Sequence, residues 1–169
     1  MKKIFLLLAV VGLTTFTSCE GDQGPPGVTV EAQVWELTNV DFLPNSFAIL
    51  YTYPQQILPS DHVLVYRLSA STNSGADVWQ LMPQYYYLPD GTLDFSYNYD
   101  FTAVDVNIFI EGNDLVTLND QFTQNQIFRI VVVPGYFAKG TANPLDYKDY
   151  NAVVTSLGIQ DKPVMKVSL

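Results

Sequence analysis

Short runs of residues with strand character constrain the fold of this chain most. Successive side chains of a β-strand point to opposite faces, so a strand with one buried face alternates apolar and polar residues. Residues 28–34 and 104–110 follow this period of two. Other runs are rich in β-branched and aromatic residues and are bounded by turn residues, which also indicates strands. These runs cover residues 47–53, 62–68, 78–87, 92–99, 127–133 and 164–167.

Three of the runs allow a more specific prediction. Residues 127–133 are nearly all apolar, which is typical of a central strand that is covered on both faces. Pro83 interrupts its run, so an edge strand or a bulge is expected there. Residues 89–91 (Pro-Asp-Gly) have the composition of a turn and predict a hairpin between residues 85–87 and 92–99.

One helix is predicted near the C-terminus. Asn143 suits its N-cap, Pro144 its first position and Gly158 its end. Between them, apolar residues recur at intervals of three and four positions, as on one face of a helix. These residues are Tyr147, Tyr150, Val154 and Leu157. About eight short strands and one late helix predict a mostly β chain, an antiparallel β-sandwich with one C-terminal α-helix, with a β-barrel as the alternative.

The N-terminal segment has a different character. Lys2 and Lys3 precede a ten-residue apolar run, Ile4–Leu13. As a helix this run would be about 15 Å long, half of a hydrocarbon core of about 30 Å, so it is too short for a stable membrane span. It has the pattern of a secretory signal. The chain's one cysteine, Cys19, follows at the end of Phe16-Thr17-Ser18-Cys19 and has no disulfide partner within the chain.

These residues resemble the lipobox of bacterial lipoproteins, in which small residues precede an obligatory cysteine. The resemblance implies that residues 1–18 are a signal peptide, removed after secretion. It also implies that Cys19 is the lipidation site, with a diacylglyceryl group on its thiol and a fatty acid such as palmitate on its new amine. Phe16 stands where the family usually has leucine. Since two acyl chains already suffice for stable attachment, such a protein would be held firmly in a membrane.

A short polar tether follows at residues 19–27. Glycine recurs at every third position between residues 21 and 27, and Pro25-Pro26 fills one triplet, as in collagen. A collagen triple helix needs many such triplets, so a short, partly polyproline spacer is the favoured interpretation. The folded domain is therefore predicted to occupy residues 28–169.

Taken whole, the chain is similar to small lipoproteins of Gram-negative bacteria of unknown function, some of them labelled collagen-like. The similarity lies in the lipobox, the GxxGPPG stalk, residues 61–66 (DHVLVY), residues 124–134 (QNQIFRIVVVP) and the late helix. It implies a protein anchored by lipid in the outer membrane or cell envelope. Glu20 and Asp22 beside the lipid resemble a signal for display on the outer leaflet. The similarity carries over no catalytic residue.

The charge balance excludes nucleic acid as a partner. Eight Lys and Arg residues stand against 17 Asp and Glu residues, which gives a net charge of −9. Removal of residues 1–18 would leave six basic residues against the same 17 acidic ones, a net charge of −11. A surface this acidic repels nucleic-acid phosphates and anionic lipid head groups. The expected partners are the membrane, reached through the lipid anchor, and a glycan or another envelope protein.

No catalytic constellation stands out, so an enzyme is not predicted. His62 is the only histidine, and a hydrolase triad or a zinc site needs more than one such group beside it. No Gly-x-Ser-x-Gly turn or Gly-rich phosphate loop is present. No cofactor is expected. Calcium is the one metal for which turns supply oxygen ligands. The candidate ligands are Asp90, Asp94, Glu111 and Asp114.

Aromatic residues crowd the segment between residues 79 and 101. On a strand, Tyr85 and Tyr87 share one face and Tyr86 lies on the other. Packing in the core is one interpretation of these rings; the alternative is an exposed platform that stacks sugar rings or anchors a protein. The platform candidates are Trp79, Tyr85, Tyr86 and Tyr87. The expected function is a non-catalytic structural or ligand-binding domain, with a carbohydrate-binding module or a small carboxylate-based glycoside hydrolase as alternatives.

Overall fold

A computed structural model describes residues 32–135, 145–159 and 163–169. These residues form nine strands, one 3₁₀ helix and two short α-helices. The strands are β1 (Gln33–Val40), β2 (Ala48–Thr52), β3 (His62–Ser71), β4 (Asp77–Leu81), β5 (Gln84–Tyr87), β6 (Leu93–Phe101), β7 (Asp105–Gly112), β8 (Gln126–Val133) and β9 (Met165–Ser168). The 3₁₀ helix spans Leu115–Thr117, and the α-helices are α1 (Asp120–Thr123) and α2 (Tyr150–Ser156). The predicted signal peptide, Cys19 and the tether at 19–27 lie outside the described residues.

The strands form two packed sheets, and this confirms the predicted sandwich. The five-stranded sheet has the order β4-β3-β8-β1-β9, and the four-stranded sheet has the order β2-β7-β6-β5. Within the described ranges the sheets do not close into a barrel. The prediction of a purely antiparallel structure needs one correction, because β9 pairs in parallel with β1. Between β8 and β9 the chain includes α2, which packs on the five-stranded sheet. Strand β9 then lies beside β1 and runs parallel to it.

The main core lies between the two sheets. Alternate residues of each strand point into it, as the period of two predicted. Its fully buried members include Trp35, Leu37, Val63, Val65, Phe95, Tyr97, Val106, Ile108, Phe128 and Ile130. The predicted core role of the aromatic segment is thus confirmed for Phe95 and Tyr97.

A second apolar cluster covers the other face of the five-stranded sheet, beneath α2. Its buried members are Leu64, Tyr66, Val131, Val133, Tyr150, Val153, Val154 and Ile159. Because β8 is the middle strand and contributes to both clusters, it is buried on both faces, which confirms the prediction made from its apolar run. The described chain therefore has three layers: helix, five-stranded sheet and four-stranded sheet.

The α2 helix begins later than predicted. It starts at Tyr150, and the side chain of Asp149 caps it by accepting a hydrogen bond from the Ala152 amide at 3.1 Å. The predicted cap Asn143 lies outside the described residues, while residues 145–149 are not helical. The Asp146 side chain accepts from the Lys148 amide at 3.0 Å, and such a local turn competes with helix formation.

The predicted helix end and hairpin are confirmed. Gly158 has φ +64° and follows the last turn of α2, where a left-handed residue ends a helix. Strands β5 and β6 pair antiparallel across the predicted turn. Pro83 lies where the chain passes from β4 in one sheet to β5 in the other, and both strands are at sheet edges. None of the described helices is long and apolar enough to cross a lipid bilayer.

Candidate functional site

A cavity of about 770 Å³ lies where β1 and β9 begin, beside α2. Most of its wall is apolar, and its polar lining side chains are Gln33, Gln55, Arg129 and Asn151. Cavities of this size, with apolar walls and a few polar groups, are typical of small-ligand sites. Three lining residues, Ala32, Ile159 and Pro163, adjoin parts of the chain that the structure does not describe.

Three charged side chains join β8, β1 and the edge strand β9 beside this cavity. Arg129 on β8 donates to Glu36 Oε2 from Nε at 2.9 Å and from Nη2 at 2.8 Å. Lys166 Nζ on β9 lies 2.9 Å from the other carboxylate oxygen, Glu36 Oε1. Glu36 is the register partner of both residues, so all three side chains lie on the same face of the sheet. We call these residues the Glu36 cluster.

Two aromatic rings hold the guanidinium of Arg129 between them. Its central carbon lies 4.0 Å from the ring centroid of Trp79 and 5.0 Å from that of Tyr150. The two rings belong to β4 and α2, and their centroids are 5.8 Å apart. Cation–π contacts of this kind strengthen as the cation loses water. Arg129 is therefore fixed in orientation at the cavity wall by a carboxylate on one side and by two rings.

The charges of the cluster are stable at neutral pH. Burial acts to raise the pKa of Glu36, but hydrogen bonds and charges from Lys166 and Arg129 outweigh it and lower that pKa below its ordinary value. Burial raises the pKa of the neighbouring Tyr150, against the opposing effect of Arg129. Two cations face one carboxylate, so the Glu36 cluster carries a net charge of +1.

Two buried donors of the main core lack acceptors among the described residues. They are Trp35 Nε1 and the Tyr53 hydroxyl. The two rings stack with centroids 5.4 Å apart and an interplanar angle of 16°. Trp35 also lines the cavity, next to the Pro54 and Gln55 wall. A buried donor without an acceptor costs free energy, and such groups are rare in folded proteins.

The four residues of the predicted aromatic platform are not on one surface. Trp79 packs against Arg129 on the five-stranded sheet. Tyr86 turns into the core, where its ring stacks on Phe95 with centroids 4.5 Å apart. Only Tyr85 and Tyr87, 53% and 63% exposed, share an open face at the edge of the four-stranded sheet. The alternation along β5 separates them from Tyr86, as the strand period predicted.

Polar residues of β6 and β7 lie beside Tyr85 on its face of the sheet. Tyr85 is the register partner of Ser96, and Ser96 is the partner of Glu111 on the next strand. Asn98 Nδ2 donates to Glu111 Oε2 at 2.7 Å and to the Ser96 hydroxyl at 2.9 Å. This surface therefore presents two tyrosine rings beside a hydrogen-bonded row of polar groups.

The four candidate calcium ligands occupy turns and strand ends. Asp90 Oδ1 accepts from the Thr92 amide at 2.9 Å, and this hydrogen bond lowers the pKa of Asp90. Asp94 lies on β6. Glu111 lies on β7 and accepts a hydrogen bond from Asn98, and Asp114 precedes the 3₁₀ helix. Among the described residues, no three His, Cys, Asp or Glu side chains are placed to hold a metal ion. Calcium binding stays a prediction.

His62 and Asp61 are neighbours with separate roles. Asp61 is buried and links two loops, because its Oδ2 accepts from the Leu58 amide at 3.0 Å and its Oδ1 accepts from the Gly135 amide at 3.2 Å. The ring of His62 is on the exposed side of β3 and meets Phe101 edge-on at 5.4 Å. Both carboxylate oxygens of Asp61 are thus used by the backbone.

A second cavity, of about 250 Å³, bears on the hydrolase alternative. Its lining includes two carboxylates, Asp41 and Asp120. Asp41 Oδ1 accepts from the Asn125 amide at 2.8 Å, so it serves to hold the loop before β8. Asp120 is the first residue of α1, and a carboxylate at this position stabilises the helix N-terminus. Each carboxylate therefore has a local structural role.

Sequence reasoning missed the Glu36 cluster. Arg129 is the one charged residue in the apolar run at 127–133, and a cation in a strand covered on both faces needs a counter-charge. That signal was available. Nothing in the sequence indicated Glu36 or Lys166 as partners, because the pairing of β1 with β8 and β9 depends on the sheet order.

Known proteins add no assignment. No protein-family model, no curated protein and no solved structure matches this chain. Its function is therefore argued from its own residues: the N-terminal motif for location, and the cavity with the Glu36 cluster for activity.

Proposed function

We propose that this chain is a lipid-anchored lipoprotein of the outer membrane or cell envelope, and that its β-sandwich binds a small ligand without catalysis. The binding role rests on one observation, the apolar cavity of about 770 Å³ whose wall includes the oriented Arg129. The location rests on Cys19 and the apolar leader before it.

The cavity wall is suited to recognition. Arg129 is held by Glu36 and by two rings, so it needs little reorganisation when a ligand arrives. The amides of Gln33, Gln55 and Asn151 offer further donors and acceptors. An apolar body would bury surface against the remaining wall, which supplies the driving force for binding.

The same wall is poorly suited to proton transfer, which supports a non-catalytic role. General acid–base work needs a group that exchanges protons near the working pH. Glu36, which binds Arg129 of the cavity wall, has a lowered pKa and is committed to two cations. Burial raises the pKa of the Tyr150 hydroxyl, so it stays protonated at neutral pH.

A blocking substitution tests the binding role. Asn151 is exposed on α2 and lines the cavity, whereas Thr155 is exposed on the same helix and does not. The full-length protein in phosphatidylcholine nanodiscs would be titrated with the uncharged probe 4-phenylbutanamide in a calorimeter. We expect Asn151→Trp to weaken binding about tenfold or more and Thr155→Trp to leave it unchanged. Equal binding by both variants would contradict a ligand site in the cavity.

Metabolic labelling tests the anchor. Cells that express the protein would be fed an alkyne-tagged fatty acid, and we expect label on the wild-type chain and none on Cys19→Ala. Ser18→Ala is the matched control, because it keeps a small residue before the cysteine and should retain the label. Label that persists in Cys19→Ala would show that this residue is not the acylated one.

A second candidate function, glycan binding, is favoured by the exposed pair Tyr85 and Tyr87 beside Ser96, Asn98 and Glu111. Tyrosine rings stack on sugar faces, and the adjacent polar row would satisfy hydroxyl groups. Glycan-array binding should then fall on Tyr85→Ala combined with Tyr87→Ala, and should persist in Leu50→Ala, which removes an exposed side chain from β2 at the opposite edge. Loss in neither variant would exclude this face.

A further inference from the structure

We infer that the cavity selects an anionic amphiphile, a small molecule with an apolar body and one carboxylate that pairs with Arg129. This inference rests on the proposed ligand-binding function and names the ligand class for the same site.

The first argument is the charge of the wall. Glu36 is shared by Arg129 and Lys166, so one carboxylate offsets two cations. The side chain of Lys166 is 72% exposed, and water screens its charge. Arg129 is 16% exposed and lies against the low-dielectric cavity. Among the described residues the cluster has one more cation than carboxylate, and its charge acts most strongly on a ligand inside the low-dielectric cavity.

The second argument is the geometry of the guanidinium. Arginine carries five donors in a fixed fork, and Glu36 engages Arg129 through Nε and Nη2. The Nη1 donors lie outside that pair. The rings of Trp79 and Tyr150 lie against the guanidinium, so Arg129, which lines the cavity, is oriented before a ligand arrives. A charge-assisted hydrogen bond to a carboxylate is stronger than one to a neutral acceptor.

The third argument is the remaining wall. Val34, Val154, Ile159, Val164 and Met165 present apolar surface, and none of the described lining residues is an Asp or Glu that would repel an anion. In the described part of the chain, the wall combines apolar surface with cationic and neutral donors, which suits a carboxylate on an apolar body.

A matched ligand pair and a charge series test the inference. The full-length protein in phosphatidylcholine nanodiscs would be titrated at neutral pH with 4-phenylbutyrate and with 4-phenylbutanamide, which differ in charge and hardly in shape. We expect the wild type to bind the carboxylate about tenfold more tightly than the amide. Arg129→Gln should abolish this preference. Glu36→Gln should increase it, because the cluster keeps both cations and loses its anion.

Asp100→Asn is the control, since it removes an exposed carboxylate from the four-stranded sheet and should leave the preference unchanged. If Arg129→Gln does not fold, the comparison of Glu36→Gln with Asp100→Asn decides alone. Equal affinity of the wild type for both ligands, with binding still blocked by Asn151→Trp, would overturn the anion preference and leave the binding function standing. If neither ligand binds the wild type, both the anion preference and the ligand-binding function are overturned.

Discussion

Arg67 shows how a single buried charge is accommodated in the main core. It is 7% exposed, and within the described part of the chain it has no carboxylate partner. Its Nε donates to Gln126 Oε1 at 2.8 Å, and its Nη1 donates to the Tyr86 hydroxyl at 3.1 Å. Its central carbon lies 4.5 Å from the ring centroid of Tyr97. The guanidinium thus forms hydrogen bonds through its N–H groups and packs its flat face on the Tyr97 ring.

Replacing Arg67 by lysine should therefore destabilise the protein although the charge is kept. An ammonium group cannot reach Gln126 and Tyr86 from one position while it lies flat on Tyr97. We expect Arg67→Lys to lower the free energy of unfolding by about 2 kcal/mol, measured by urea denaturation. Lys148→Arg, at an exposed position, should change it by less than about 0.5 kcal/mol. A tolerated Arg67→Lys would show that the hydrogen-bond geometry is unimportant.

Glu36 makes stability depend on pH in a defined direction. Its pKa is lowered in the folded state from an ordinary value of 4.5. Its contribution is therefore fully present above that value and is lost as the pH falls through the folded-state pKa. At pH 7 we expect Glu36→Gln to cost about 2 kcal/mol, because glutamine keeps an acceptor but leaves two cations without a counter-charge.

Urea denaturation at a series of pH values would test this behaviour. The gap between wild type and Glu36→Gln should narrow on acidification below about pH 4.5, the ordinary carboxyl value. Glu111→Gln serves as the reference for an exposed carboxylate. A gap that stays constant down to pH 3 or grows on acidification would show that the carboxylate charge of Glu36 does not stabilise the fold.

At the scale of elements, the end of α2 depends on one residue. Gly158 donates to the Thr155 carbonyl at 3.0 Å, and Ile159 donates to the Val154 carbonyl at 3.0 Å. This pair of bonds requires the left-handed conformation at position 158, and it places Ile159 against Val154 in the cluster beneath the helix.

Substitution of that glycine should loosen the helix on the sheet. A Cβ at position 158 meets no neighbouring atom, so the cost is conformational and not steric crowding by other residues. We expect Gly158→Ala to lower the free energy of unfolding by about 1 kcal/mol, measured by thermal or urea denaturation. Gly158→Asn should cost less, because asparagine tolerates this conformation better. If alanine and asparagine lower the free energy of unfolding equally, the left-handed conformation at position 158 is not the cause of the loss.

Most elements could be predicted from the sequence because burial on one face leaves a period of two. The run at 28–34 failed to show where β1 ends, since Glu36 is a charged residue at a buried position and breaks the expected pattern. The direction of β9 could not be predicted either, because it depends on how the chain crosses the sheet. Arg129 was visible as an anomaly, but its partners were set by strand order.

At the scale of the whole molecule, β8 links the two apolar clusters. Ile130 belongs to the core between the sheets, and its neighbour Val131 belongs to the cluster beneath α2. The two tryptophans report on these layers separately, Trp35 on the first and Trp79 on the second. Both layers should therefore unfold together, although each has its own packing.

A cavity created in the cluster beneath α2 should therefore destabilise both layers. We expect Val131→Ala to lower the free energy of unfolding by about 2 kcal/mol. Urea denaturation followed by fluorescence in Trp35→Phe and Trp79→Phe backgrounds should give coincident midpoints, and the substitution should shift both equally. Separate midpoints would mean that the α2 layer detaches before the sandwich unfolds.

Ala32 is the first residue of the described domain, and it also lines the cavity. It follows Cys19 by 13 residues. A fully stretched chain advances at most about 3.5 Å per residue, so acylation of that cysteine would set a ceiling of about 45 Å between the bilayer surface and the cavity rim. A hydrophobic cargo leaving this pocket would have only a short aqueous gap to cross before it met lipid.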